Sequence, residues 1–129
     1  MMLNISKGLE RAKDALEDAK IMFREERFWV CVSRSYYAIF YCMQTLLFAK
    51  GLFTKTHKGV LNLFNLHYVK TGIIEKRYSE MARDAFADRQ KADYDFDTDF
   101  TANEVAEVIQ HAEEFLKFTK AHLTSQNLI

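Results

Sequence analysis

The sequence predicts an all-α fold, an antiparallel up-and-down bundle of four to five helices. Its 129 residues include no proline and only four glycines, which favours long helices and few tight turns. Apolar residues recur at alternating spacings of three and four, the period of a helix with one buried face. The length suits one compact core, so we expect residues 1–129 to form a single helical domain.

Five segments carry the pattern. The second ends at Gly51, a residue suited to the position after a helix C-terminus. The fifth opens with Thr101 and Glu104, whose spacing fits a capping box. The predicted helices span about 5–27, 28–50, 57–70, 75–92 and 101–123.

The charge balance excludes a uniformly basic or acidic protein. Basic and acidic residues number 18 each, so binding to nucleic acid or to a membrane must come from a local patch. The first residues, "MMLNISKGLERAKD", contain no apolar signal core, and we expect a cytoplasmic protein. Cys31 and Cys42 lie about 16 Å apart on one predicted helix, too far for a disulfide, and two free thiols fit a reducing compartment.

The second segment raises the main functional question, because Arg34 is the only charge between Phe28 and Ala49. Its hydroxyl and amide residues, and the lack of a flanking basic cluster, favour a central bundle helix over a membrane span. The second helix is predicted to have an apolar face and, opposite it, a polar-aromatic stripe, and we expect both to be buried. The stripe would then contact a partner subunit, a ligand or a polar network in the core. The alternative is a stripe that faces solvent. The apolar face holds Trp29, Val32, Tyr36, Ile39, Phe40, Met43 and Leu47, and the polar-aromatic stripe holds Arg34, Tyr37, Tyr41, Gln44 and Thr45.

Arg89 stands where the apolar spacing of the fourth segment predicts an apolar residue. Asp93 follows one helical turn later, where its carboxylate can meet the guanidinium. A structural ion pair is one interpretation, because buried charges are usually paired. A functional arginine is the other.

The stretch "DYDFDTDFTANE", residues 93–104, places acidic residues at the ligand positions of a calcium loop. Position six is Thr98, where the sharp turn needs glycine, and Glu104 has a competing role in the capping box. We therefore expect no calcium binding tighter than about millimolar. No histidine pair has the spacing of a helical zinc or di-iron site, so no metal and no cofactor are expected.

His57, in "THKG", lies at a predicted helix start, where backbone N–H groups and Lys58 favour an anion. A histidine that serves only as a helix-start residue is the simpler interpretation.

Three stretches together, "SRSYYAIFYCMQTLLFAKG", "KTHKGVLNLF" and "RQKADYDF", resemble the HEPN domain family. The resemblance is to its small stand-alone branch, with a Ser-Arg-x-Tyr-Tyr-Ala-x-Phe-Tyr helix, and covers residues from about 8 to 122. It implies an antiparallel bundle that commonly dimerises around a cleft and binds nucleotide or RNA. Many such proteins are encoded beside a minimal nucleotidyltransferase, and some are RNase toxins. The motif residues carried over are Ser33, Arg34, Tyr36, Tyr37, Phe40, Tyr41, His57, Lys58, Arg89, Asp93 and Tyr94.

The chain departs from the family's nuclease pattern. Family RNases place a histidine four to six residues after an arginine, which supplies a cation and a general acid/base. No arginine here has a histidine at that distance, and Arg89 leads instead to Asp93 and Tyr94. The usual nuclease mechanism is therefore not expected.

We expect a homodimeric HEPN-type module of a toxin–antitoxin-like system that binds nucleotide or RNA, or a nucleotidyltransferase partner, through a dimer cleft. One alternative is a divergent metal-independent RNase with His57 as general base. The other is a purely structural interaction module, in which Arg34 and Arg89 only neutralise Asp93. The predicted ligand-binding residues are Arg34, Tyr37, Tyr41, His57, Lys58 and Arg89, with Ser33, Asp93 and Tyr94 in support.

Overall fold

Residues 2–129 fold into five α-helices, with one π-helical turn after the third. The computed structural model describes residues 2–129, with side chains from Asn4 onward. This part of the chain contains no strand, and the predicted all-α bundle is confirmed. The elements are α1 (Met2–Arg24), α2 (Phe28–Ala49), α3 (His57–Phe64), the π-helical turn (Asn65–Val69), α4 (Lys76–Tyr94) and α5 (Ala102–Ser125).

Helix α2 is the central element and packs against α1, α3, α4 and α5. Ile39, Leu46 and Ala38 are fully buried, so the helix is enclosed on more than one side. Its Arg34 and Tyr37 side chains are half-buried. Within residues 2–129, no helix combines the length and the apolar character needed to cross a membrane.

Helices α1 and α2 run antiparallel in close contact. A Cβ atom on Gly8 would collide with Oγ1 of Thr45, so the glycine lets the two backbones approach. At the other end of the pair, Sγ of Cys31 donates to the carbonyl oxygen of Ala19 at 3.2 Å. Cys31 is buried and free, as is Cys42, which confirms that the two do not pair.

Two residues of α2 lie in surroundings that the helical wheel did not predict. Trp29 was assigned to the apolar face but is 59% exposed, because it lies in the first turn of α2 at the end of the bundle. Thr45 was assigned to the polar stripe but is fully buried. Its hydroxyl donates to the carbonyl oxygen of Tyr41 at 2.6 Å, and this bond offsets the cost of burial.

The third predicted helix, 57–70, is interrupted. Regular α-helix covers His57–Phe64, and Asn65–Val69 forms a π-helical turn. The wider turn accompanies an inward-facing Tyr68, which is 1% exposed and donates its hydroxyl to the carbonyl oxygen of Leu46 at 2.5 Å. Helix periodicity alone does not distinguish the two geometries.

The helix ends follow the capping residues of the sequence. Thr101 and Glu104 form the predicted capping box at the start of α5. Gly51 follows α2 with φ of 73°, the left-handed conformation that glycine adopts without strain. Thr56 caps α3 by accepting a hydrogen bond from the N–H of Gly59 at 2.9 Å, and this cap fixes His57 as the first residue of the helix.

Candidate functional site

His57 projects from the first turn of α3 onto the aromatic side chains of α2. Its Nδ1 atom lies 2.5 Å from the hydroxyl oxygen of Tyr36, a side chain that is only 2% exposed. The imidazole centroid is also 4.5 Å from that of Phe40 and 5.9 Å from that of Phe86. The ring is therefore held in one orientation by packing on two sides and by a hydrogen bond.

Two arginines from different helices converge on the same tyrosine. Cζ of Arg34 on α2 and Cζ of Arg89 on α4 each lie 5.5 Å from the ring centroid of Tyr37. Arg89 is also 5.8 Å from the ring centroid of Tyr36. These distances are those of cation–π contacts. The packing of α4 on α2 thus brings two positive charges and His57 to one place.

The two arginines are held differently by acidic side chains. Nε of Arg89 lies 2.9 Å from a carboxylate oxygen of Asp93, and the two side chains are 15% and 24% exposed. Nε of Arg34 lies 3.9 Å from a carboxylate oxygen of Asp18, which is 57% exposed. Arg89 therefore has a close acidic neighbour on its own helix, while the carboxylate that pairs with Arg34 is more distant and more exposed.

Both Nε atoms are buried, yet neither makes a well-aligned hydrogen bond to any acceptor that the structure describes. For Arg89 the distance to Asp93 is short, but the N–H direction does not meet the carboxylate well. Buried donors without partners are uncommon in folded proteins. A guanidinium with unused donors is suited to a phosphate or carboxylate ligand.

Burial, together with the positive charge of Arg89, holds the pKa of His57 below the ordinary value for histidine. Burial also raises the pKa of Tyr36, whose phenol stays protonated at neutral pH. Both groups are therefore uncharged at pH 7, and the positive charge of the site comes from its arginines. This arrangement favours a bound anion and leaves His57 able to accept a proton.

An apolar pocket of about 310 Å³ opens beside His57, at the small end of the range for ligand sites. His57 and the exposed Lys58 bring polar groups to its otherwise apolar wall. Such a pocket accepts a flat apolar group with a charged substituent at its edge. It is lined by Tyr36, Met43, His57, Lys58, Leu61, Ala82 and Phe86.

The structure brings most of the predicted site residues together. Arg34, Tyr37, His57 and Arg89 form one cluster, Lys58 lines the adjoining pocket, and Asp93 contacts Arg89. The remaining three lie at the edge of this cluster or away from it. Tyr41 extends the cluster along α2, its ring centroid 6.0 Å from that of Tyr37, Tyr94 is 75% exposed, and Ser33 is half-buried in the turn of α2 beside Arg34.

Sequence reasoning placed Tyr36 on the apolar face and left it out of the ligand-binding set. Its ring is indeed buried, but its hydroxyl reaches His57. The contact depends on how α3 packs against α2, and helical periodicity carries no information about that packing. A buried tyrosine needs a partner for its hydroxyl, and this need is the one signal the sequence offered.

The acidic stretch after α4 uses its carboxylates locally. Asp95 accepts hydrogen bonds from the N–H of Asp97 at 3.0 Å and from the hydroxyl of Thr98 at 2.6 Å. These bonds hold the pKa of Asp95 below its ordinary value. Glu104 is engaged in the cap of α5. Among residues 2–129 no group of three histidine, cysteine or acidic side chains is placed to hold a metal ion.

A comparison of the chain with known protein families agrees with its motif residues, its helical bundle and this cluster. The HEPN domain model matches residues 5–122. The chain belongs to the HEPN domain family. The family resemblance identified from the three motif stretches is confirmed.

Relatives of this HEPN protein cover most of its length. A "UPF0332 protein" of Thermotoga maritima is 41% identical over 82% of this chain and 80% of its own. A protein of Methanocaldococcus jannaschii named "Putative toxin MJ0142" is 33% identical over 97% of this chain and 85% of its own. A second protein of that organism, "Putative toxin MJ0605", is 37% identical over 89% and 85%. The chain is thus similar to HEPN-type proteins, two of which carry toxin names.

Proposed function

We propose that this HEPN protein is the toxin-like member of a two-protein system, and that the cluster of Arg34, Arg89 and His57 binds RNA or a nucleotide. One observation carries the proposal: two guanidiniums and a neutral histidine meet on a single tyrosine ring, with buried N–H groups that have no aligned partner. A purely structural arginine pair would be expected to satisfy those donors within the fold.

A nucleotide matches both parts of the site, the cationic cluster and the apolar pocket. Its phosphate oxygens would accept from the guanidiniums of Arg34 and Arg89, whose planar fork suits a phosphate. Its base would enter the apolar pocket, against the ring of Phe86 and below the imidazole of His57. Lys58, exposed at the pocket, would approach a second phosphate.

The proposal includes a second copy of the chain and a partner protein. In a dimer, the half-buried stripe of Arg34, Tyr37 and Tyr41 on α2 would face the cleft between the two copies, which leaves it open to a ligand. The toxin names of two relatives favour a system with a neutralising partner. A nucleotidyltransferase is the partner class implied by the family resemblance, and an adjacent gene for such an enzyme would favour the pairing.

A divergent RNase is the second candidate, and one observation favours it: His57 is neutral and lies beside Arg89. In this reaction His57 would take the proton of a ribose 2′-hydroxyl as that oxygen bonds to phosphorus. The bond to the 5′ oxygen would break, and that oxygen would take a proton from water, leaving a 2′,3′-cyclic phosphate and a 5′-hydroxyl. The arginines would stabilise the charge that develops on the phosphate oxygens.

The test is a fluorescence titration of labelled single-stranded RNA and of ATP with the wild-type protein and with Arg34→Gln. We expect the substitution to weaken binding about tenfold or more, the usual effect of removing one hydrogen-bonded charge. Lys13→Gln, an exposed cation of α1 beside α5, is the matched control and should bind normally. Equal affinities of Arg34→Gln and wild type would contradict the proposal.

A further inference from the structure

A second groove lies between α1 and α2, away from the apolar pocket. Its volume is about 240 Å³. Gly8 lines it, at a point where the two helices approach so closely that a side chain would collide with Thr45. The groove is lined by Asn4, Lys7, Gly8, Arg11, Tyr41, Gln44, Phe48 and Phe53.

The charge of this groove is positive. Lys7 and Arg11 lie on one face of α1, four residues apart, and both are exposed. None of the lining residues is acidic, and neither cation forms an ion pair with a carboxylate of residues 4–129. The acidic side chains Glu10 and Asp14 line a different groove on the other side of α1. The groove therefore attracts anions.

Aromatic rings lie beside the two cations. Phe53 is 62% exposed and stacks on Phe48, with ring centroids 5.8 Å apart and planes inclined by 14°. Tyr41 contributes a half-buried ring, and Gln44 contributes an amide that can donate and accept. An exposed ring held flat by a second ring is a platform on which a base can stack.

The groove adjoins the candidate functional site through the aromatic rings of α2. Tyr41, in the groove, lies 6.0 Å from Tyr37 between ring centroids, and Tyr37 in turn lies 5.9 Å from His57 and 5.5 Å from Cζ of Arg34. From Arg34 to Phe48 the stripe follows α2 for about 21 Å at 1.5 Å per residue. This length exceeds a single nucleotide, so an extended ligand can contact both ends.

We propose that the groove between α1 and α2 is a binding site for single-stranded RNA, which continues along α2 from the Arg34–His57 cluster. Cations that alternate with stacking rings and a side-chain amide are the combination used for single strands, where phosphates and bases are both exposed. An acidic peptide would use Lys7 and Arg11 but has no need of the stacked Phe48 and Phe53. The inference rests on the proposed function, because it extends the ligand of the same site.

The experiment compares two RNA ligands, a dinucleotide and an oligonucleotide of about 12 residues. The groove variant is Lys7→Gln with Arg11→Gln, and the matched control is Lys13→Gln with Lys117→Gln, two exposed cations outside the groove. For the long RNA we expect the groove variant to bind more weakly. The slope of log K against log salt should fall in magnitude by about 1.4, or 0.7 for each lost phosphate contact. The control and the dinucleotide affinity should be unchanged.

Phe53→Ala tests the stacking platform without changing the charge. We expect it to lower affinity for the long RNA about fivefold or more and to leave the salt slope unchanged, since base stacking is not ionic. Because Phe53 is 62% exposed, the melting temperature should change little.

Three results would overturn the groove assignment. The first is normal binding of the long RNA by the groove variants, while Arg34→Gln still weakens it; the proposed function would then survive without the groove. The second is a change in particle mass of the groove variants by light scattering, which would make the groove a contact between copies. The third is normal RNA binding together with lost binding of a polyglutamate peptide.

If Arg34→Gln binds the dinucleotide normally, the proposed function fails, and the long-RNA comparison alone decides the groove.

Discussion

The hydroxyl oxygen of Tyr36 lies 2.5 Å from Nδ1 of His57, joining the centre of α2 to the first turn of α3. Thr56 fixes His57 at that turn, and Phe40 packs against its ring. This contact orients the imidazole so that its other nitrogen remains for a ligand or a proton. The site therefore depends on three elements of the bundle, since α4 adds Arg89.

The first prediction concerns pH. Because the pKa of His57 is lowered by burial and by Arg89, the unfolded chain binds a proton that the folded chain does not hold. Stability is then full above the unfolded value of about 6.5 and is lost as pH falls through it. His122 contributes in the same direction, because burial and Lys50 lower its pKa.

Urea unfolding between pH 7.5 and 5.5 measures this effect, above the range in which most carboxylates titrate. We expect the free energy of unfolding to fall with pH in the wild type and to fall less steeply in His57→Gln, which removes the titrating ring. Gln110→Ala, at an exposed and uncharged position of α5, is the control and should keep the wild-type pH dependence. An identical pH dependence in His57→Gln and wild type would contradict the assigned environment.

The second prediction separates the two arginines. Arg89 and Asp93 are 15% and 24% exposed, so Arg89→Ala leaves a half-buried carboxylate unpaired and should cost about 1–3 kcal/mol, between exposed and fully buried pairs. Arg34 is 33% exposed and lies 3.9 Å from an exposed Asp18, so Arg34→Ala should change the melting temperature by only about a degree or two. Melting curves of both variants decide this. The reverse order of stability would show that the roles are exchanged.

The third prediction concerns the contact between α1 and α2. Gly8→Ala should destabilise the fold by about 1–3 kcal/mol, because its Cβ would collide with the buried side chain of Thr45. Thr45→Ala removes the colliding hydroxyl, so the double variant should be less destabilised than the sum of the two single changes. A double-mutant cycle by urea unfolding measures the coupling, and strict additivity would show that the helices do not meet at these residues.

The fourth prediction concerns oligomeric state. Two copies are expected to pair so that the half-buried tyrosines beside Arg34 on the central helix line the cleft between them. Multi-angle light scattering at tens of micromolar should give about twice the 15.2 kDa mass of the chain. A wild-type particle of monomer mass would argue against the dimer.

Most of the fold, and some of the residues that meet at the candidate site, could be predicted from the sequence. Apolar spacing predicted the helices to within a few residues, and the capping box at Thr101 and the Gly51 stop were both confirmed. The π-helical turn at Asn65–Val69 was missed, because a single turn is too short for an apolar period to distinguish the two geometries. Trp29 was wrongly assigned to a buried face, because helical spacing carries no information about where the neighbouring helix ends.

Helical spacing predicts contacts within one helix but not contacts between segments that are distant in the sequence. The spacing of Arg89 and Asp93 predicted their contact, since both lie on one helix. The meeting of Arg34 and Arg89 on Tyr37 depends on how α4 crosses α2, and no local pattern encodes that crossing. The groove at Lys7 and Arg11 was missed for the same reason, since it exists only where α1 and α2 lie side by side.

The fifth prediction addresses the central claim, that a phosphate binds where Arg34, Arg89 and His57 meet. The measurement is an NMR titration of the His57 ring against pH, with and without a saturating RNA dinucleotide, and the signal is assigned by its loss in His57→Gln. In the free protein the pKa of His57 should lie below the ordinary value, as burial and Arg89 dictate. In the complex it should rise, because a nearby phosphate stabilises the imidazolium. A pKa of His57 that is the same in the free protein and in the saturated complex would contradict the account.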